Sequence, residues 1–413
     1  MGVRTGVIAA LVAVITACNG SSASTPSTTS IAAATTTVPR ADDGVLTIGV
    51  MAPDEGPGAA IGAGVAAGVA MAATEINGAG GVNGNFVRVI QRGEPTDAPS
   101  ARLVAADLLD SNVDVVIGPA SSLNALAIVP QLVDAGVLTC APTATALALE
   151  HIDDDGLLVR TVPSDRLQAA ALAAATERSG VTQVALVYVD DAWGNDLAEL
   201  TTDALQRAGI TVTASVPAAP DASDADAVAT AVVAAATGEV VVIADDSTGP
   251  ALVQAIAEAA EQTMRFVVND AMRRPSGDAI PYSAFLAARI TGVAPLATPP
   301  DAFAAALEPG TSTLFAAPAY DCITLAALAA EGTGSDNPRV LAEAVPGLTR
   351  RGTSCSNFVE CRAFAAEGLN FQYDGAGGVL EMSDRGELSV AVFEVFGYSD
   401  GSDVALTRLT VNA

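Results

Sequence analysis

From Val45 onward, apolar residues fall into two alternating patterns. Short apolar runs at Val45–Met51, Asp114–Ile117 and Val137–Cys140 predict strands buried on both faces. The stretches between them are longer, with apolar residues three or four positions apart. Ala59–Asn77 places Ile61, Val65, Val69 and Ile76 near one face, with Gly78 beyond its end, and predicts a helix. Asn85–Gln91 predicts a strand, and Pro99–Ser111 and Leu123–Ala135 predict helices. This alternation predicts a parallel sheet covered by helices on both faces.

The pattern breaks at Thr161-Val162-Pro163 and then restarts. Ser164–Ser179, Asn195–Ala208, Asp224–Thr237 and Pro250–Gln262 predict helices; Gln183–Val189, Ile210–Val216, Val240–Ala244 and Arg265–Val268 predict strands. Two successive sets predict an α/β protein of two similar lobes. Sites in such sheets form beyond the carboxyl ends of strands, so the ends of the two sets can face each other across a cleft. Further on, Tyr320–Glu331 predicts a helix, and Ser383–Tyr398 a β-hairpin turning near Asp384-Arg385-Gly386.

The first residues have a different character. Met1–Ala17 is a short basic start followed by an apolar run too short to anchor in a bilayer, which predicts a signal peptide. Ile15-Thr16-Ala17-Cys18 resembles a bacterial lipobox, which implies lipidation of Cys18. Residues 18–44, rich in Ser, Thr, Ala and Pro up to Arg40, have too little bulky apolar surface to offset ordering entropy and predict a tether. No later stretch reads as a membrane span. Four further cysteines remain, an even count that suits an exported, disulfide-bonded chain. Cys355 and Cys361 enclose five residues, which predicts local closure. For Cys140 and Cys322, a bond and two buried thiols both stand open.

Composition narrows the chemistry. The 413 residues hold 47 acids against 19 basic residues, no Lys and one His, for a formal charge of −28. That balance argues against a nucleic-acid partner. The missing Lys excludes Schiff-base and phosphate-loop lysines, and the single His removes most triads and His-based metal sites. No cofactor or metal is expected. Gly62-Ala63-Gly64 loosely fits a dinucleotide fingerprint, but it lies too far beyond the strand; small residues there suit close helix packing. Paired acids at Asp153–Asp155, Asp190-Asp191 and Asp245-Asp246 offer a hydrolase reading, yet adjacent side chains point apart. His151 reads as a surface residue.

The stretch Leu46–Pro53, Gly56-Pro57-Gly58 and Glu75–Gly84 resembles the start of type I periplasmic binding proteins of the leucine/isoleucine/valine-binding branch. Val116–Ser122, Ala141–Thr145, Arg160–Asp165, Val187–Gly194, Tyr320-Asp321 and Gly375–Leu380 continue the resemblance in order. Cys355–Tyr373 is similar to a short disulfide loop of many members. The resemblance implies two lobes joined by three crossovers: lobe 1 as 45–162 plus 293–370, lobe 2 as 163–292 plus 371–413. It implies a lipid-anchored receptor outside the cytoplasmic membrane that closes on a small ligand and serves an ABC permease and its ATPase. No enzymatic activity is implied.

The same resemblance assigns a pocket. Ser122 corresponds to the residue that binds a ligand carboxylate, with Ser121 beside it, and Thr143 and Thr145 lie on a second contact loop. Trp193 stands where an aromatic faces the ligand. Asp270 corresponds to the acid that pairs with the ligand ammonium, and Asp246 to a further contact. Two acids in the second lobe depart from a leucine site and favour an amino acid or related cation. Read bottom-up, Ser and Thr at these places equally suit helix caps and turns. A receptor that signals without transport, and an inert surface domain, are the competing readings.

Overall fold

The computed structural model describes residues 42–412, apart from residues 57, 236, 246, 262, 274–280, 296–300 and 400–401. Cys18, the signal segment, the tether to residue 41 and Asp246 therefore lie outside the described residues.

The first repeat builds β1 (Thr47–Ala52), α1 (Ala59–Gly78), β2 (Arg88–Gly93), α2 (Ala98–Asp110), β3 (Val115–Ile117), α3 (Ser122–Asp134), β4 (Leu138–Ala141) and β5 (Leu158–Arg160). The five strands pair in parallel in the order β2-β1-β3-β4-β5. Val115, Val116 and Ile117 are fully buried, as an unbroken apolar run between two helical layers requires. Helix α1 is long and apolar enough to cross a membrane, but its Val65, Val69 and Ile76 are buried in the lobe core. Its glycines allow that packing. A Cβ on Gly64 or Gly68 would sit 1.9 Å from the carbonyl oxygens of Leu314 or Ala316, and one on Gly62 would strike the Pro53 carbonyl. Close packing thus accounts for the Gly62-Ala63-Gly64 run.

The second repeat builds α4 (Asp165–Arg178), β6 (Gln183–Val189), α5 (Ala192–Arg207), β7 (Thr211–Ala218), α6 (Ala225–Ala234), β8 (Glu239–Ile243), α7 (Gly249–Ala259), β9 (Arg265–Val268), α8 (Ala284–Ala287) and β10 (Ile290–Pro295). Then come α9 (Asp301–Ala306), α10 (Ala316–Thr333), α11 (Pro338–Leu348), β11 (Thr353–Cys355), α12 (Phe358–Ala366), β12 (Phe371–Tyr373), β13 (Glu381–Met382), β14 (Leu388–Ser399) and β15 (Ser402–Asn412). The second sheet runs β7-β6-β8-β9-β10-β14, with β13 and β15 both on β14. It is parallel through β10, after which β14 is antiparallel.

Three expectations need correction. The return to lobe 1 at Val293 falls inside β10. Val293 pairs with Val395 and Pro295 with Phe393, so β14 holds the strand in the second sheet to Pro295. The exit at Phe371 is also early, because β12 pairs with β11 and the chain rejoins the second sheet only at β13. The hairpin over 383–398 is a two-residue strand against a long one; the extended hairpin is β14 with β15. The crossovers accordingly follow β5, β10 and β12. Cys140 bonds Cys322, resolving the open alternative, and Cys355 bonds Cys361.

Candidate functional site

On lobe 1, the loop after β3 enters α3 through Ser121, whose hydroxyl caps the helix by accepting the Asn124 N–H at 3.4 Å. Ser121 thus has the capping role. The Glu94 carboxylate, beyond β2, accepts the Ala120 and Ser121 N–H groups at 2.6 and 3.0 Å and the Asn124 amide at 2.8 Å. An internal acid therefore already occupies part of this helix N-terminus. The Ser122 hydroxyl accepts the Ala146 N–H at 3.3 Å and keeps its own proton free to donate. The Thr143 hydroxyl donates to the Ala120 carbonyl at 3.0 Å. These bonds stitch the loops after β3 and β4 into one hydroxyl-bearing wall.

Thr145 links that wall to lobe 2. Its carbonyl accepts the Asp165 N–H at 2.9 Å, and its side chain faces the Asp165 carboxyl. Asp165 opens α4 directly after the first crossover and is buried, with one carboxyl oxygen lacking a hydrogen-bond partner. Desolvation, then the charge of Asp270, pushes its pKa up to about 7, against the pull of Thr145, Arg160 and Trp193. Asp270 follows β9 and is partly exposed, yet desolvation raises its pKa as well. Gln168, one helical turn from Asp165, leans on Asp270 without closing a regular hydrogen bond. Asn269 accepts the Ala244 N–H at 3.0 Å, and its own side chain, like that of Gln168, leans on Asp270 without closing a regular hydrogen bond.

Trp193 does not sit in a loop. The Asp191 carboxylate caps α5 by accepting the Gly194 N–H at 2.7 Å, which starts the helix at Ala192 and puts Trp193 in its first turn. The half-buried ring lies against the core and Asp165. Asp190 accepts the Asn195 amide, and Asp245 accepts the Ser247 and Thr248 N–H groups, so these acids stabilise turns. His151 is exposed.

The structure therefore gathers Ser122, Thr143, Thr145, Trp193 and Asp270 around strand ends, and adds Asp165, Gln168 and Asn269. Asp165 was hidden by Pro163-Ser164, which make it look like an ordinary helix-start acid. The available signal was Gln168 three residues on, a second polar group on the buried face of an apolar helix. Of the described arginines near the acid pair in sequence, Arg166 pairs with Glu150 and Arg265 with Glu239, and Arg160 and Arg273 are committed too. Arg160 donates to Glu387 at 2.7 Å and to the Ala146 carbonyl at 3.1 Å; Arg273 pairs with Glu394 and Asp403, each at 2.6 Å. What remains is the Ser122 hydroxyl on the loop wall and, past Thr145, the two desolvated carboxyls of Asp165 and Asp270. That arrangement complements a small molecule carrying an acceptor at one end and a cation at the other.

Two α/β lobes hinged by crossovers, with such a site at their strand ends, define a cleft-type ligand receptor. The chain belongs to the periplasmic binding protein family, which it matches over residues 45–359. It is 25% identical over 374 residues to the chemotactic signal transduction system substrate-binding protein BasB of Halobacterium salinarum, covering 86% of each chain. It is 32% identical over 187 residues to the Leu/Ile/Val-binding protein BraC3 of Rhizobium johnstonii, covering 45% of this chain and 50% of that one. A solved ABC transporter substrate-binding protein from Desulfitobacterium hafniense in complex with Leu superposes with a TM-score of 0.69 at 20% identity, covering 88% of this chain and all of that one.

Proposed function

We propose that this chain is an exported, lipid-anchored receptor that captures a small amino-acid-like ligand, zwitterionic or cationic, and delivers it to an ABC permease. The observation that carries the reading is the desolvated pair Asp165 and Asp270, joined through Thr145 to the loop wall that carries the Ser122 hydroxyl. The ligand carboxylate takes the Ser122 hydroxyl, its ammonium lies between the two acids, and Trp193 covers it. Lipidation at Cys18 holds the receptor at the membrane. The BraC3 relative and the Leu-bound neighbour support an amino acid as ligand. A sensing role without transport is the second reading, favoured by the likeness to BasB along most of both chains.

The test is calorimetric titration with L-leucine, L-arginine and L-glutamate. A cationic or zwitterionic amino acid is expected to bind, and L-glutamate to bind least. Asp270→Asn should weaken binding about 30- to 1000-fold, the usual loss when one partner of a buried charge pair is removed. Unchanged affinity in that variant would remove Asp270 from the site. Pull-down with the full-length protein separates the two readings: recovery of an ABC permease supports delivery, and recovery of a signalling protein supports sensing.

A further inference from the structure

The start of α10 carries three ties that no ligand contact uses. The Thr161 hydroxyl, in the first crossover, donates to the Pro318 carbonyl at 2.8 Å and lies 3.3 Å from Cys322 Sγ. Cys322 is bonded to Cys140, which sits on β4 just before the loop with Thr143 and Thr145. Between these two ties stands Asp321. Its Oδ1 accepts the Tyr373 hydroxyl at 2.6 Å and the Ala376 N–H at 2.7 Å, and the Gly377 N–H also faces the carboxylate.

Those donors belong to the third crossover. Gly375 takes φ +82°, and a Cβ there would come within 3.1 Å of Asp321 Oδ2, so the crossover lies directly on this carboxylate. A cavity of about 40 Å³ adjoins it, lined by Thr161 and Pro163 of the first crossover, Pro295 at the end of β10, and Gly377 and Leu380 of the third. Lobes that pivot need crossovers fixed at one end and free to shift at the other. A buried carboxylate holding several donors supplies the fixed end; the cavity leaves room that a close-packed interior would deny.

We propose that Asp321 is the positioning residue for lobe closure, pinning the third crossover to the helical turn that also holds the first crossover and the ligand loop. The role needs the lobes to move but does not depend on which ligand is bound. It is tested on the full chain with Asp321→Asn, Tyr373→Phe and the double variant. Small-angle scattering without ligand reads lobe separation, and titration with L-leucine and L-arginine reads affinity.

Both single variants should shift the radius of gyration of the ligand-free protein in the same direction. They should weaken amino-acid binding about tenfold, a typical site-to-site coupling. The double variant should match Asp321→Asn alone, because the Tyr373 hydroxyl acts through its bond to the Asp321 carboxylate. A structural role alone would lower the melting temperature and leave scattering unchanged, and that result overturns the proposal. If Asp321→Asn does not fold, Tyr373→Phe decides by the same readouts. A scattering shift with no amino-acid binding would overturn the ligand reading and keep this one. Normal binding and wild-type scattering in the variants would overturn this one alone.

Discussion

At the scale of single residues, the site turns on proton occupancy. Asp165 is held at about 7, chiefly by desolvation and then by the charge of Asp270. An ammonium ligand needs that carboxyl ionised, so affinity for L-leucine or L-arginine should fall as pH drops through about 7. The slope should approach one log unit per pH unit, since one proton competes with the ligand. Titrations at pH 5, 6, 7 and 8 check this, and Asp165→Asn should flatten the profile while weakening binding at pH 8. A flat profile in the wild type would mean that Asp165 does not face the ligand. Sequence reasoning reached Asp270 through the family resemblance, which sets this strand-end acid against a ligand ammonium. It missed Asp165 because a helix-start acid has an ordinary local explanation, and only tertiary contact with Asp270 and Thr145 separates the two roles. It also mistook the setting of Trp193, since Asp191 as a cap could be seen only once its bond to Gly194 was placed.

At the scale of elements, the strands and helices were legible because each is a clean apolar run or a clean helical period. Gln183–Val189 and Arg265–Val268 match to the residue. What was not legible depends on partners distant in sequence. β10 runs on to Pro295 because β14 supplies its hydrogen bonds, and β12 stays beside β11 because that edge is open to it. Helix α1 gives the sharpest test of packing. Its Gly68 lies against the Ala316 backbone, where a Cβ would come within 1.9 Å of the carbonyl oxygen, whereas a Cβ on Gly78 meets nothing within 4 Å. Gly68→Ala should destabilise the protein by about 2–4 kcal/mol, because backbone must move to admit the methyl. Gly78→Ala should change stability by less than about 1 kcal/mol, with better helix propensity as the main effect. Urea denaturation of both variants makes the comparison, and equal midpoints would show that α1 does not press on α10 as described.

At the scale of the whole molecule, the charge of −28 and the buried acids act together on stability. Burial raises Asp165 to about 7, Asp321 to about 6 and Asp336 to about 6, where hydrogen bonds with Asp42 and Asp43 and the charge of Asp42 also favour the protonated form. Each raised value means that the folded state binds the proton more tightly than the unfolded chain, whose carboxyls titrate near 4. The stabilising contribution is therefore complete below about 4 and is lost as pH rises through 6 to 7. Self-repulsion among 47 acids against 19 arginines acts in the same direction. Below about 4 the sign reverses for groups held low by their partners. In Glu150, bonds and charges from Ser164, Arg166 and Arg160 outweigh desolvation, and that support goes when the carboxylate is protonated. The ligand-free protein should therefore melt highest near pH 4 to 6 and lower at pH 8. The rise in melting temperature produced by a bound amino acid should run the other way, largest at pH 8, where Asp165 is ionised. Melting curves across pH 4 to 8, with and without L-arginine, read both slopes at once. A ligand-free protein more stable at pH 8 than at pH 5 would show that these carboxyls are better solvated than their burial implies.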